Sequence, residues 1–305
     1  MTRRSPKNIA ASVRQRLLDK ARETGRTFSE LLQYFAMERF LYRLSKSPYA
    51  NNFVLKGALM LTVWEAPLTR PTLDIDLLGR IDNGIETIVD VTREICRQEV
   101  EADGLAFDIA TIETERIAED ADYEGIRVRF RGSLGTARVV MQLDIGFGDV
   151  VIPSPKPMNY PTLLDLPAPH LRGYSRESTI AEKFEAMVKL GTLNSRMKDF
   201  FDLWLMSCQF DFDGATLAEA ISKTFSTRRT PILAEPLALT NAFAEDSVKA
   251  AQWRGFVRRN RLPKAPQNLN EVVAGIAAFL KPIAEHLAMG HVFKSMWKAP
   301  GPWSG

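Results

Sequence analysis

Two acids, Asp74 and Asp76, interrupt an apolar run in the stretch FVLKGALMLTVWEAPLTRPTLDIDLLGR, which spans residues 53–80. Alternate side chains of a β-strand share a face, so both carboxylates project together, roughly 6–7 Å apart along the chain. Such a pair is costly in an apolar strand, because like charges repel and resist desolvation unless a cation or a shared proton compensates. Hard divalent ions take oxygen ligands and commonly bridge carboxylates and substrate phosphates. The pattern points to a metal-dependent phosphoryl or nucleotidyl transfer site. A strand end where both acids reach water is the alternative for an isolated D-x-D.

More acids and a lysine extend the pattern. ARVVMQLDIGF, residues 137–147, is a second strand-like run with Asp144 near its end. If its strand neighbours the first, three carboxylates surround one or two metals, the arrangement that clamps both oxygens of an in-line displacement. Capping of the following turn is the competing role for Asp144. STIAEKFEAMVKLG, residues 178–191, reads as a helix whose start is marked by Thr179 and Glu182 in capping-box spacing. Its apolar stripe of Ile180, Phe184, Met187 and Val188 contains Lys183, which either snorkels to water or points into a cleft toward an anion. Asp199 and Asp202 follow in KDFFDLW, neighbours at i and i+3 on another helix, with surface pairing to Lys198 or Arg196 as their alternative role.

The order of these motifs carries a family resemblance. Lys56-Gly57, twelve residues, Arg70-x-Thr72-x-Asp74-Ile75-Asp76-Leu77, the Leu143-Asp144-Ile145 strand, Ile180-Ala181-Glu182-Lys183 and Lys198-Asp199-x-x-Asp202-Leu203 resemble the AbiEii/AbiGii-type nucleotidyltransferase toxins of type IV toxin–antitoxin systems. That family includes the mycobacterial MenT toxins and is similar to the DNA polymerase β-like nucleotidyltransferase superfamily. The resemblance implies transfer of a nucleoside monophosphate from an NTP to an RNA hydroxyl. Asp74, Asp76 and Asp144 would hold Mg²⁺ (or Mn²⁺), and Lys183 would contact the triphosphate. Lys56, Gly57 and Arg70 would support it, and Asp199 or Asp202 would orient Lys183 or complete the site. The resemblance also implies an acceptor at the 3′ end of tRNA, blocked translation and a cognate antitoxin. Many nucleotidyltransferases carry Gly-Ser in the first turn; Gly57-Ala58 lacks that hydroxyl, which leaves Lys56 and backbone amides to hold the phosphates.

Composition excludes several other chemistries. The basic start, MTRRSPKNIAASVRQRLLDKARETG, has no apolar core of a secretory signal, and no run approaches the 18 apolar residues of a membrane span, so a cytoplasmic protein is expected. Cys96 and Cys208 stand alone, as reduced thiols do. His170, His286 and His291 lack ligand spacing, and no phosphate-binding GxxxxGK[ST] occurs.

Basic residues cluster although the net charge is only +3. Arg127, Arg129 and Arg131 alternate with apolar residues, which predicts a strand with one wholly cationic face. Lys223, Arg228 and Arg229 form a second cluster. In WRGFVRRNRLPK, residues 253–264, Arg254, Arg258, Arg259 and Arg261 surround Trp253 and Phe256. Guanidinium groups contact phosphates and aromatics stack on unpaired bases, so this third cluster is the candidate RNA-binding surface, against the alternative of a solvated charged face.

Helical periodicity opens the chain at about Pro6 to Arg43, followed by a helix near 57–65, the two-acid strand, a helix near 85–100 and strands near 105–114, 125–131 and 137–147. The Pro/Gly-rich residues 153–173 break regular structure. The expectation is an α+β fold: a polymerase β-like nucleotidyltransferase core with a mixed sheet and N-terminal helices over residues 1–165, then an all-helical C-terminal lobe over 166–305 whose Lys183 and Asp199/Asp202 reach back across a cleft. A metal-dependent nuclease and a non-catalytic nucleotide-binding module are the competing functions.

Overall fold

Asn8 caps the first helix by accepting a hydrogen bond from the Ala11 amide, and Gly25 in the left-handed region ends it, so α1 spans Ile9–Thr24. The computed structural model describes residues 8–66, 70–120 and 123–305. The expected helix start at Pro6 lies outside them. Thr27 caps α2 (Phe28–Lys46), which is enclosed nearly all round. Phe35, Phe40, Leu41 and Leu44 are fully buried there, each contributing about 1.5–3 kcal/mol. Its polar residues are buried with partners. Arg43 grips Asp103 bidentately at 2.7 and 3.1 Å, and the Glu38 carboxylate accepts from the Leu163 amide at 2.7 Å.

The chain continues through β1 (Phe53–Lys56), α3 (Leu59–Val63), β2 (Ile75–Gly79), α4 (Ile85–Arg97), β3 (Leu105–Asp120), β4 (Tyr123–Leu134), β5 (Ala137–Phe147), β6 (Lys156–Asn159) and β7 (His170–Gly173). These seven strands form one mixed sheet in the order β3-β4-β5-β2-β1-β7-β6. Parallel pairing joins β2 to β5 and β1 to β7, and the other neighbours are antiparallel. The expected strand over residues 137–147 forms with those bounds. Residues 153–173, expected to be irregular, instead contribute β6 and β7. Their prolines stand at the ends or beyond, except Pro157, which faces Arg172 in register. This sheet, with α1 to α4, makes one compact unit of the described residues up to 65 together with 72–148 and 156–173.

The second unit comprises residues 66–71, 149–155 and 174–305. It is chiefly helical: α5 (Arg176–Leu190), α6 (Met197–Gln209), α7 (Gly214–Thr227), α8 (Asn241–Glu245), α9 (Ser247–Arg259) and α10 (Leu269–Ala288). Its N-terminal cap on α5 differs from the expected one. Ser175, not Thr179, accepts from the Ser178 amide, and Thr179 donates its hydroxyl back to the Ser175 carbonyl from inside the first turn. The helical lobe also carries a three-stranded sheet of two-residue strands, β8 (Phe212–Asp213), β9 (Met296–Trp297) and β10 (Trp303–Ser304). The tail folds into it because its tryptophans need burial. Trp297 is buried with its indole N–H on the Ser207 carbonyl, and Trp303 stacks on Phe279. No described helix is long and apolar enough to cross a membrane.

Candidate active site

Strand register assembles a charged row across the sheet. Lys56 on β1 lies opposite Asp76 on β2, Asp76 opposite Asp144 on β5, Asp144 opposite Arg127 on β4, and Arg127 opposite Glu115 on β3. Cross-strand partners share a face of the sheet, so the signs run plus, minus, minus, plus, minus. Asp74 stands just ahead of β2 and accepts a hydrogen bond from the Thr72 hydroxyl. The parallel pairing of β2 with β5 brings the expected third carboxylate in: oxygens of Asp74, Asp76 and Asp144 lie within 4.8 Å of one another.

The turn after β1 is shaped by this pair of strands. Gly57 has φ +70°, and a Cβ there would sit 1.8 Å from an Asp76 carboxylate oxygen and 2.5 Å from its carboxyl carbon. Only glycine permits both the left-handed backbone and the close approach of that carboxylate. Ala58, which follows it, is buried.

Arg127 is the member of this site that the sequence reading assigned elsewhere. Its guanidinium forms two parallel hydrogen bonds to Asp144, both 2.8 Å, and these raise its pKa above the ordinary arginine value despite partial burial. The β4 face is therefore not the wholly cationic surface expected. Arg127, Arg129 and Arg131 stand opposite Glu115, Glu113 and Asp108 in register, and Arg129 pairs with Glu115 at 3.0 Å. Alternation in one strand could not reveal acids on its neighbour.

The remaining predicted residues form a second array inside the helical unit. Lys183 on α5 donates to Asp199 at 2.7 Å and approaches Asp202 at 2.8 Å, both on α6. Arg196 contacts the other Asp199 oxygen at 2.7 Å, and Arg70 clasps Asp202 bidentately at 2.9 and 3.0 Å. The sequence left Asp199 and Asp202 as alternatives; both meet Lys183. Each carboxylate side chain is 2% exposed, so these are buried pairs rather than the surface pairs held open for Arg196. Burial pushes Asp199 up, but Lys183 and Arg196 outweigh it and hold the carboxyl well below the usual carboxylate range. Burial likewise opposes Asp202, and Arg70 with Lys183 overcomes it. Burial pulls Lys183 down, while the two aspartates reverse that and keep it charged.

The third and second basic clusters fare differently. Arg254, Arg258 and Arg259 project from α9, with Arg261 just beyond it, and all but Arg259 line one cavity of about 740 Å³. Trp253 and Phe256, expected to stack on bases, are instead buried against each other, and the Trp253 indole donates to the Pro266 carbonyl. Arg228 is held by ion pairs to Asp149 and Glu185, both at 3.0 Å.

Three hard oxygen donors at this spacing suit a divalent metal, and the adjacent like charges of Asp76 and Asp144 supply the electrostatic demand for one. The model of the family described as nucleotidyl transferase AbiEii toxin, type IV TA system, matches residues 39–274. No curated protein matches the chain. Two crystal structures from Helicobacter pylori are similar. One is a candidate nucleotidyltransferase at 15% identity and TM-score 0.47, covering 85% of this chain and 95% of that one. The other is JHP933 at 14% identity and TM-score 0.47, covering 86% and 92%. With every acid and the lysine of the motif series inside the matched span, the chain belongs to the AbiEii nucleotidyltransferase toxins of type IV toxin–antitoxin systems.

Proposed function

We propose that this chain transfers a nucleoside monophosphate from an NTP to an RNA hydroxyl at the 3′ end of tRNA, and so blocks translation in the cytoplasm until a cognate antitoxin counters it. The observation that carries this reading is the convergence of Asp74, Asp76 and Asp144, from two parallel strands and the segment before them, on one point. Those three residues would hold Mg²⁺ (or Mn²⁺), which when bound neutralises charge on the triphosphate oxygens.

The chain's own residues do the rest. Gly57 lets the Asp76 carboxylate lie against the turn, and Lys56 adds a cation opposite Asp76 in register. Lys183 is the triphosphate contact, kept protonated by Asp199 and Asp202; a fixed ammonium stabilises charge on the leaving pyrophosphate. Arg70 and Arg196 are positioning residues that act through those aspartates. Asp144, oriented by Arg127, serves the acceptor hydroxyl. Incubating the protein with each labelled NTP, total RNA and Mg²⁺ should yield RNA lengthened by one or more nucleotides. Shortened fragments would instead establish a nuclease, and unchanged RNA with retained nucleotide binding a non-catalytic module.

A further inference from the structure

The arginines read from sequence as one patch face two different hollows. Arg259 lines a cavity of about 710 Å³ together with Arg70, Arg196 and Lys198. Arg254, Arg258 and Arg261 line the second, of about 740 Å³. Ala251 and Gly255 of α9 border both, so a ridge of small residues separates them. No acidic residue lines either cavity. In the first, Arg70 and Arg196 are anchored by the buried Asp202 and Asp199, which are not part of its wall. Its other two cations, Lys198 and Arg259, are exposed and form no hydrogen bond or ion pair among the described residues.

Lys198 and Arg259, beside two arginines whose aspartates lie behind the wall, give the hollow an excess of positive charge that favours a phosphate-bearing ligand. Two cationic hollows side by side along one helix suit a ligand carrying phosphates at intervals rather than a single one. Of the aromatic pair on α9, Trp253 is fully buried, and Phe256 meets the first cavity only with the small edge it leaves exposed, so neither offers a ring face to a base. We infer that the Arg70/Arg196/Lys198/Arg259 cavity is a phosphate-binding site for the backbone of single-stranded RNA, continued across the Gly255 ridge by Arg254, Arg258 and Arg261, and that it grips RNA without regard to base sequence. This rests on the reading that RNA is the acceptor. The site belongs to residues other than the carboxylate group of the sheet.

The test measures binding alone, with the full chain in EDTA and no nucleotide, so transfer cannot occur. A short fluorescein-labelled single-stranded RNA is titrated by anisotropy over a range of salt. Lys198→Ala with Arg259→Ala should weaken binding roughly tenfold or more, and should flatten the log–log salt slope by about 1.4, at roughly 0.7 per phosphate contact. Gly255→Glu should weaken it as well, because a side chain there meets no atom within 4 Å and extends into open space between the hollows. Gly255→Ala, which adds only a methyl group to a helix interior, should bind as the native chain does. Oligo(U) and oligo(A) should bind alike. In a separate titration without EDTA or RNA, affinity for MgATP, measured by calorimetry, should be unchanged in all variants.

Unchanged RNA affinity and slope in the double variant would overturn the site, as would loss of MgATP affinity with RNA binding intact, which would make the hollow a nucleotide site. A strong preference between the two homopolymers would overturn the sequence-independent grip. Native chain that binds RNA but never extends it would refute the proposed activity while leaving this site standing. Variants that bind normally while the native chain extends RNA would do the reverse.

Discussion

The two charged arrays differ in the order of their signs. Across the sheet, Lys56, Asp76, Asp144, Arg127 and Glu115 leave two carboxylates side by side, with Asp74 close to both. In the helical unit, Arg196, Asp199, Lys183, Asp202 and Arg70 alternate without a break, so every carboxylate lies between two cations. The first arrangement sets like charges next to one another and so gains from a further cation; in the second each carboxylate already lies between two. Burial follows the same division. Asp144 is 15% exposed, whereas Asp199 and Asp202 are sealed at 2%. Sequence motifs treat all these acids alike, yet one array sets carboxylates beside one another and the other sets each between two cations.

The largest expected effect separates the arrays by opposite responses to losing a charge. Asp76→Ala should reduce nucleotide transfer by at least about a hundredfold, while thermal stability stays level or rises, because a repulsion disappears. Transfer at the native rate would break the assignment of the sheet array. In the alternating array the same operation should damage the fold. Lys183→Ala leaves each of two buried carboxylates with one cation instead of two and should cost about 1.5–3 kcal/mol in denaturant unfolding as well as activity. Lys189, exposed on the same helix, should tolerate replacement by alanine within about 0.5 kcal/mol. Equal stability of the two variants would show that the buried pairs carry no net weight.

Acid should find the same weakness. Asp199 and Asp202 have folded pKa values depressed below the ordinary aspartate value of 3.8. Their contribution to stability is therefore complete above that value and is lost as pH falls through the folded pKa. Asp199→Asn should flatten the acid limb of a stability–pH profile; an unaltered limb would place acid sensitivity elsewhere. Smallest is the effect of Gly57→Ala, which should cost about 1–2 kcal/mol from the left-handed backbone. Because the new methyl group displaces the Asp76 carboxylate, the Mg²⁺ concentration needed for half-maximal transfer should rise in parallel. Unchanged metal dependence would separate the turn from the site.

Local patterning carried much of this molecule into view. Asp74 and Asp76 stood out because two acids in an apolar strand need a physical reason, and β5 was recognisable to the residue as a run rich in Val, Ile and Leu. Lys183 was conspicuous inside an apolar stripe. The Pro-rich run of residues 153–173 misled, because proline statistics say nothing of a neighbouring edge such as β1, which recruits β7 in parallel. The cap of α5 shifted to Ser175 because its hydroxyl also reaches the Ile152 carbonyl, a partner distant in sequence.

What the chain determined by itself were properties set within a few residues: which segments alternate, which acids share a face, and where a helix must contain a charge. Tertiary structure decided everything that depends on who lies opposite. Asp144 joined Asp76 through strand register, Arg127 became the partner of Asp144 instead of part of a cationic surface, and Trp253 and Phe256 went into the core. The reason is that electrostatic and packing energies act through space at a few ångströms, whereas periodicity in a sequence reports only the direction in which a side chain leaves its own backbone.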